Sequence, residues 1–160
     1  RGAGLAIGYG NYTLRRTEIR NINEGPRVSS NTVIEDSWIH GLVRRPGDHH
    51  DILQTTGGVK MVVRHNLLEA YDPRTDDPFN AAFMVGAETS PLDNLLVEDN
   101  LMTGGNYTVN IRNDPRISSV VFRNNTFVRN ARYGPVIGQG TPGVSWESNN
   151  VFQDTGKPVA

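Results

Sequence analysis

The sequence predicts an all-β chain wound as a right-handed parallel β-helix of about six rungs, and three observations carry that prediction. An apolar residue, a small polar residue three positions on and an apolar residue two beyond that recur as Leu14–Thr17–Ile19, Ile34–Ser37–Ile39, Val63–Asn66–Leu68, Val97–Asn100–Met102, Phe122–Asn125–Phe127 and Trp146–Asn149–Val151. The polar anchors are separated by 20, 29, 34, 25 and 24 residues, a period at which each repeat buries its apolar face only against its neighbours. The residue after each inward position forms a column of alternating sign, Arg15, Glu35, Arg64, Glu98, Arg123 and Glu147. Charge plays no part in the phrase that sets this alignment. Parallel stacking about 4.8 Å apart places each charge between two opposite ones, and a slip of one rung brings like charges together.

Each rung opens with a strand of period-two alternation whose inward pairs are Tyr12/Leu14, Thr32/Ile34, Met61/Val63, Leu95/Val97, Val120/Phe122 and Val144/Trp146. A two-residue corner follows at Arg16, Asp36, His65, Asp99, Asn124 and Ser148. Asn, Asp and His are the non-glycine residues that best tolerate the left-handed backbone such a corner needs. The anchor then turns inward, so Asn66, Asn100, Asn125 and Asn149 are expected to form a hydrogen-bonded ladder continued by Ser37 and Thr17. A second strand begins at Ile39, Leu68, Met102, Phe127 or Val151. After a variable loop comes a third, read as Ile52–Gln54, Phe83–Val85, Val109–Ile111 and Val136–Ile137, with Ile52 and Gln54 inward and Asp51 and Leu53 outward. The outward column Thr13, Val33, Val62, Leu96, Val121, Ser145 is apolar in its middle and suits a loop or partner packed against it.

Composition excludes several classes. A net charge of −1 argues against nucleic-acid and anionic-membrane surfaces, and no apolar run approaches the ~18 residues of a membrane span. Without cysteine there is neither a disulfide framework nor thiol chemistry. Seventeen Gly and nine Pro indicate frequent turns and little helix. Residues 1–160 are read as one β-helix domain, and neither Arg1–Gly10 nor Gln153–Ala160 has the pattern of an amphipathic cap helix. The expectation is therefore an excised piece of a longer chain or a homo-oligomer.

The phrase Val120-Val-Phe-Arg-Asn-Asn-Thr-Phe resembles the rungs of the pectate-lyase-like right-handed β-helix superfamily. Gly47-Asp-His-His-Asp-Ile-Leu-Gln-Thr-Thr-Gly-Gly, followed by Val59-Lys-Met-Val-Val-Arg-His-Asn, is similar to secreted bacterial β-helix repeats with a His-x-Asp-x-x-Gln rung. This resemblance, over residues 10–155, implies a secreted or cell-surface protein that acts on or binds acidic polysaccharides. It does not choose between lyase, hydrolase and adhesin. The calcium-binding Asp cluster and Arg base of a pectate lyase are not found as a complete set, nor are the Asp pairs of a polygalacturonase, so Ca2+ is the cation to consider without a motif for it. The activity must be argued from a site.

His49, His50 and Asp51 form the densest ionisable cluster, and a carboxylate beside an imidazole orients it and raises its basicity. The same residues also suit a loop-to-strand corner. The longest insertion, Tyr71-Asp-Pro-Arg-Thr-Asp-Asp-Pro-Phe-Asn80, brings Asp72, Asp76 and Asp77 as carboxylates for a cation or for acid–base work, and Asp-Pro is equally turn chemistry. Arg112 carries a planar fork for a sugar carboxylate, with a salt bridge to Asp114 as the structural alternative. Trp38, outward beside Leu67 and Leu101, offers a face for a sugar ring, while His40 is expected in solvent and His65 at a left-handed corner. The expected catalytic groups are thus His50, Asp51, Asp76 and Asp77, with His49, Arg112 and Trp38 binding substrate and no metal set assigned. Two functions remain open: an enzyme acting on an acidic polysaccharide by lyase or hydrolase chemistry, or a non-catalytic β-helix serving as adhesin, carbohydrate-binding module or stalk.

Overall fold

The computed structural model describes residues 3–44 and 49–159, and its described residues form strands, turns and loops without a helix. Arg1, Gly2, Gly47, Asp48 and Ala160, which figure in the stretches above, lie outside the described residues. The first sheet stacks six parallel strands: Tyr12–Arg15, Thr32–Glu35, Gly58–Arg64, Leu92–Glu98, Ile117–Arg123 and Val144–Trp146. The second, also six-stranded and parallel, stacks Glu18–Ile19, Trp38–Ile39, Leu67–Ala70, Leu101–Gly104, Thr126–Phe127 and Val151–Phe152. The third stacks Asp51–Thr55, Ala81–Val85, Tyr107–Ile111 and Gly134–Ile137. A parallel pair, Ala3–Leu5 with Ile22–Glu24, lies beside it, joined through the Gly25 N–H to the Asp51 carbonyl at 3.0 Å. Stacked parallel sheets of this kind are consistent with a parallel β-solenoid.

The corners follow from backbone stereochemistry. Arg16, Asp36, His65, Asp99 and Asn124 have φ between 52° and 57°, in the left-handed region. A second left-handed column, Asn11, Asn31, Lys60, Asn94 and Ser119, lies just before or near the start of the first-sheet strands. The core lies between the sheets: Ile34, Val63, Val97 and Phe122 from the first meet Ile39, Leu68, Met102 and Phe127 from the second, all fully buried. From the third sheet, Phe83 brings its ring within 6.4 Å of Phe122.

The amides form a ladder with one displacement. Asn66 donates through its backbone N–H and Nδ2 to Asn100 Oδ1, both at 3.0 Å, and Asn100 does the same to Asn125 at 3.1 and 3.0 Å. Asn125 then donates to Asn150 Oδ1, not to the expected Asn149. Each Nδ2 also donates to the first-sheet carbonyl of the preceding rung: Ile34, Val63, Val97 and Phe122. The last corner holds one residue more than the others, since Phe122 pairs with Trp146 but Thr126 with Val151. That extra residue pushes Asn149 out to solvent and explains why Ser148 lacks the left-handed φ of its counterparts. In the charge column Arg15, Glu35, Arg64, Glu98 and Arg123 stand in register, and Glu147 follows Trp146 beside Arg123, its N–H donating to the Phe122 carbonyl at 3.0 Å. Glu35 is buried between the guanidinium groups of Arg64 and Arg15, whose hydrogen bonds hold its carboxyl below the usual range.

Alternation also fails at the start of the third sheet. Leu53 pairs with Phe83 and is fully buried, whereas Gln54 pairs with Met84 and is half-buried, so the expected inward pair of Ile52 and Gln54 is not formed. Ile52 and Leu53 are both buried because this strand, like its neighbour Ala81–Val85, is covered on both faces. At the far end, residues 153–159 fold back as an extended strap. Phe152 N–H donates to the Lys157 carbonyl, Val159 N–H to that of Asn150, and Trp146 Nε1–H to that of Val159 at 2.7 Å.

Candidate functional site

The variable loops meet in space, as their positions on neighbouring rungs require. Asn80 ties them together: its N–H donates to the His50 carbonyl at 2.9 Å and its Nδ2 to Asp51 Oδ1 at 2.7 Å. His50 is fully buried, edge-on to Phe79, with Nδ1 facing the Asn23 carbonyl at 2.9 Å and Asn23 Nδ2 at 3.0 Å. Asp51 is 6% exposed. Burial pushes its carboxyl up to about 6, with Asn80 pulling it down and Glu24 adding to the rise. His49 stands exposed beside this cluster.

The loop carboxylates are already bonded. Asp72 is held by Arg74 through its side chain and its backbone N–H, which lowers its pKa. Burial alone would raise Asp77, but hydrogen bonds from Arg44 and the Phe79 N–H outweigh it and hold it low. Asp76 accepts from the Tyr71 hydroxyl at 2.6 Å. Reciprocal backbone bonds between Asp72 and Asp77 close the loop. Among the described residues no three His, Asp or Glu side chains converge to hold a metal ion.

Arg112 stands apart from these groups. Asp51 pairs with Ala81 at the start of its strand, while Arg112 follows Ile111, the partner of Val85. At about 3.3 Å per residue, the two are separated by about 16 Å along the strands, and they lie two strands apart. Arg112 pairs with Glu88 at 3.7 Å. The alternative partner weighed above, Asp114, is taken by Arg116 across an Asp-Pro-Arg turn.

Trp38 belongs to a different surface. It stacks face to face on His40 at 3.7 Å, and its Nε1–H donates to Glu69 Oε2 at 2.7 Å. His40, expected in solvent, keeps only 17% of its side chain exposed and bonds Glu18 at 3.0 Å. The stacking follows from position, since two outward residues on one short strand lie on the same side of the sheet. Trp38's two partners, His40 and Glu69, line a groove of about 510 Å3 on the outer face of the second sheet. Its floor is one column across five adjacent strands, Arg20, His40, Glu69, Thr103 and Val128, and its wall is the loop from Tyr71 to Arg74. Sequence reasoning missed it because the column shares no residue type. The one available signal was its place two residues beyond Glu18, Trp38, Leu67, Leu101 and Thr126.

No protein-family model, curated protein or solved structure matches this chain.

Proposed function

We propose that this chain is an extracellular, right-handed parallel β-helix that binds an acidic polysaccharide along the groove of its second sheet. It resembles the pectate-lyase-like repeat proteins in its rung phrase. The observation that carries this reading is the groove itself. It runs across the strands for about 19 Å, four strand spacings of about 4.8 Å. Cationic, acidic and hydroxyl side chains line it, and Trp38 stacks on His40 of its floor. An extended sugar chain presents repeating hydroxyls and ring faces to such a surface, which a periodic column can match unit by unit. The loop carboxylates support binding over catalysis, because arginines, a tyrosine and backbone N–H groups already occupy them.

The test is affinity electrophoresis through gels containing uronate polymers. Retardation of the unmodified protein, lost in Thr103→Trp with an unchanged melting temperature, is the expected result. Equal retardation of Thr103→Trp refutes the groove as the binding surface. A catalytic reading, lyase or hydrolase, has one observation in its favour: burial raises the Asp51 carboxyl to about 6 next to the buried His50. Release of unsaturated products or new reducing ends by the unmodified protein, abolished in Asp51→Asn, would establish it.

A further inference from the structure

Arg132 stands out among the cations. Among the described residues, it and Arg16 are the arginines without an ion pair, and Arg16 sits at an outer corner of the first sheet. Arg132 instead lines a recess of about 220 Å3 with Tyr71, Asp76, Pro78 and Asn130. Tyr71 and Asn130 line the main groove as well, so the recess opens from its shoulder.

The polar groups of this recess are set by the backbone. Arg132 N–H donates to the Gly105 carbonyl at 2.9 Å. Asn130 Oδ1 accepts from Gly104 N–H at 2.7 Å, which leaves its NH2 group to donate elsewhere. Gly104 has φ +77°, and a Cβ there would lie 2.0 Å from the Ala70 carbonyl oxygen, so only glycine permits this approach. On the facing wall, Asp76 has φ 53° in a loop closed by the Asp72–Asp77 backbone pair, and the Tyr71 hydroxyl occupies its Oδ1. Oδ2 remains to accept a further bond. The recess thus offers a planar cationic fork and an amide donor on one side and a carboxylate acceptor on the other.

We propose that Arg132, Asn130 and Asp76 form a subsite that reads one carboxylate-bearing sugar unit of the bound chain, an inference that rests on the polysaccharide reading above. The sugar carboxylate takes two N–H bonds from the Arg132 guanidinium and one from Asn130, and a hydroxyl of the same ring donates to Asp76. A neutral hexose fills only the hydroxyl half. A bare inorganic anion has no hydroxyl for Asp76 and meets its charge instead.

Calorimetric titration with galacturonate, mannuronate and glucuronate oligomers, each paired with its carboxyl-reduced counterpart, tests this. The unmodified protein should bind at least one uronate oligomer about tenfold more tightly than its reduced form. Arg132→Ala should abolish that preference while leaving affinity for the reduced form within twofold and the melting temperature unchanged. Arg132→Lys should recover only part of the preference, since an ammonium cannot bond a carboxylate through a fork. Equal affinity of the unmodified protein for both forms, or full retention of the preference in Arg132→Ala, overturns the subsite while the groove reading stands. Binding to neither form overturns both.

Discussion

Replacing Asp51 with Asn should make the protein more stable at neutral pH and flatten part of its pH profile. The Asp51 carboxylate is buried with, among the described residues, a single hydrogen bond, from Asn80, and burial moves it from the ordinary 3.8 to about 6. At about 1.4 kcal/mol per pH unit, keeping it ionised costs the folded state about 3 kcal/mol. The sign follows from proton linkage. Between pH 3.8 and about 6 the folded chain holds a proton that the unfolded chain has lost, so stability falls as pH rises and the penalty is complete above about 6. The substituted amide can still accept from Asn80, but its own NH2 needs a partner, which returns about 1–2 kcal/mol. The net gain at pH 7.5 is therefore about 1–2 kcal/mol. Urea unfolding of both proteins at half-unit steps from pH 4 to 8 measures it. Glu35, Asp36, Asp72, Asp77 and Asp114 are held below the ordinary range and destabilise the fold only as pH falls through lower values. They do so in both proteins, so the difference curve isolates Asp51. A difference that is flat from pH 4 to 8 would refute the reasoning, whatever its sign.

Other perturbations address the frame. Asn100→Leu removes partners from Asn66 N–H, Asn66 Nδ2 and the Val63 carbonyl at once, and should cost about 3 kcal/mol or more in denaturant unfolding. Asn150→Ala should cost about 2 kcal/mol and Asn149→Ala less than about 0.5, because only the former is buried; the reverse order would return the ladder to Asn149. Glu98→Arg places three cations in register with Arg64 and Arg123, so its melting temperature should drop more at 20 mM than at 500 mM salt. An equal drop at both would mean that lost packing, not charge, is responsible.

How much of this was legible in the sequence can be traced residue by residue. The first two sheets were, because Leu14, Ile34, Val63, Val97 and Phe122 repeat both an apolar type and a fixed distance to a polar anchor. Asn149 and Asn150 are chemically identical neighbours, and only the pairing of Val151 with Thr126 decides which enters the ladder. The third sheet was misread at Ile52 and Gln54 because the period-two rule assumes one face in solvent, while the strand Asp51–Thr55 is covered on both faces. Asn11, Asn31 and Asn94 signalled the second left-handed column, but Lys60 and Ser119 concealed it. The candidate site was the least legible. His49 to Asp51 and Asp72 to Asp77 stand out by type, yet partners distant in the chain occupy them, Asn23, Arg44 and Asn80 among them.

The strap over Trp146 gives the stack a direction of failure. In a molecule whose units touch only their neighbours, melting proceeds from an end, and the two ends here are unequal. At one, Val159 is 1% exposed and four bonds tie the strap to the last rung. At the other, Tyr12, Leu14 and Ile19 are only partly covered, and a single bond from Thr17 N–H to Ser37 Oγ joins the first rung to the ladder. Thermal unravelling of residues 1–160 by themselves should thus enter by the first rung and travel toward Trp146. Amide protons should exchange fastest near residue 14 and slowest around Phe122 and Asn125, which makes the strap a stop at the end of a one-way zipper.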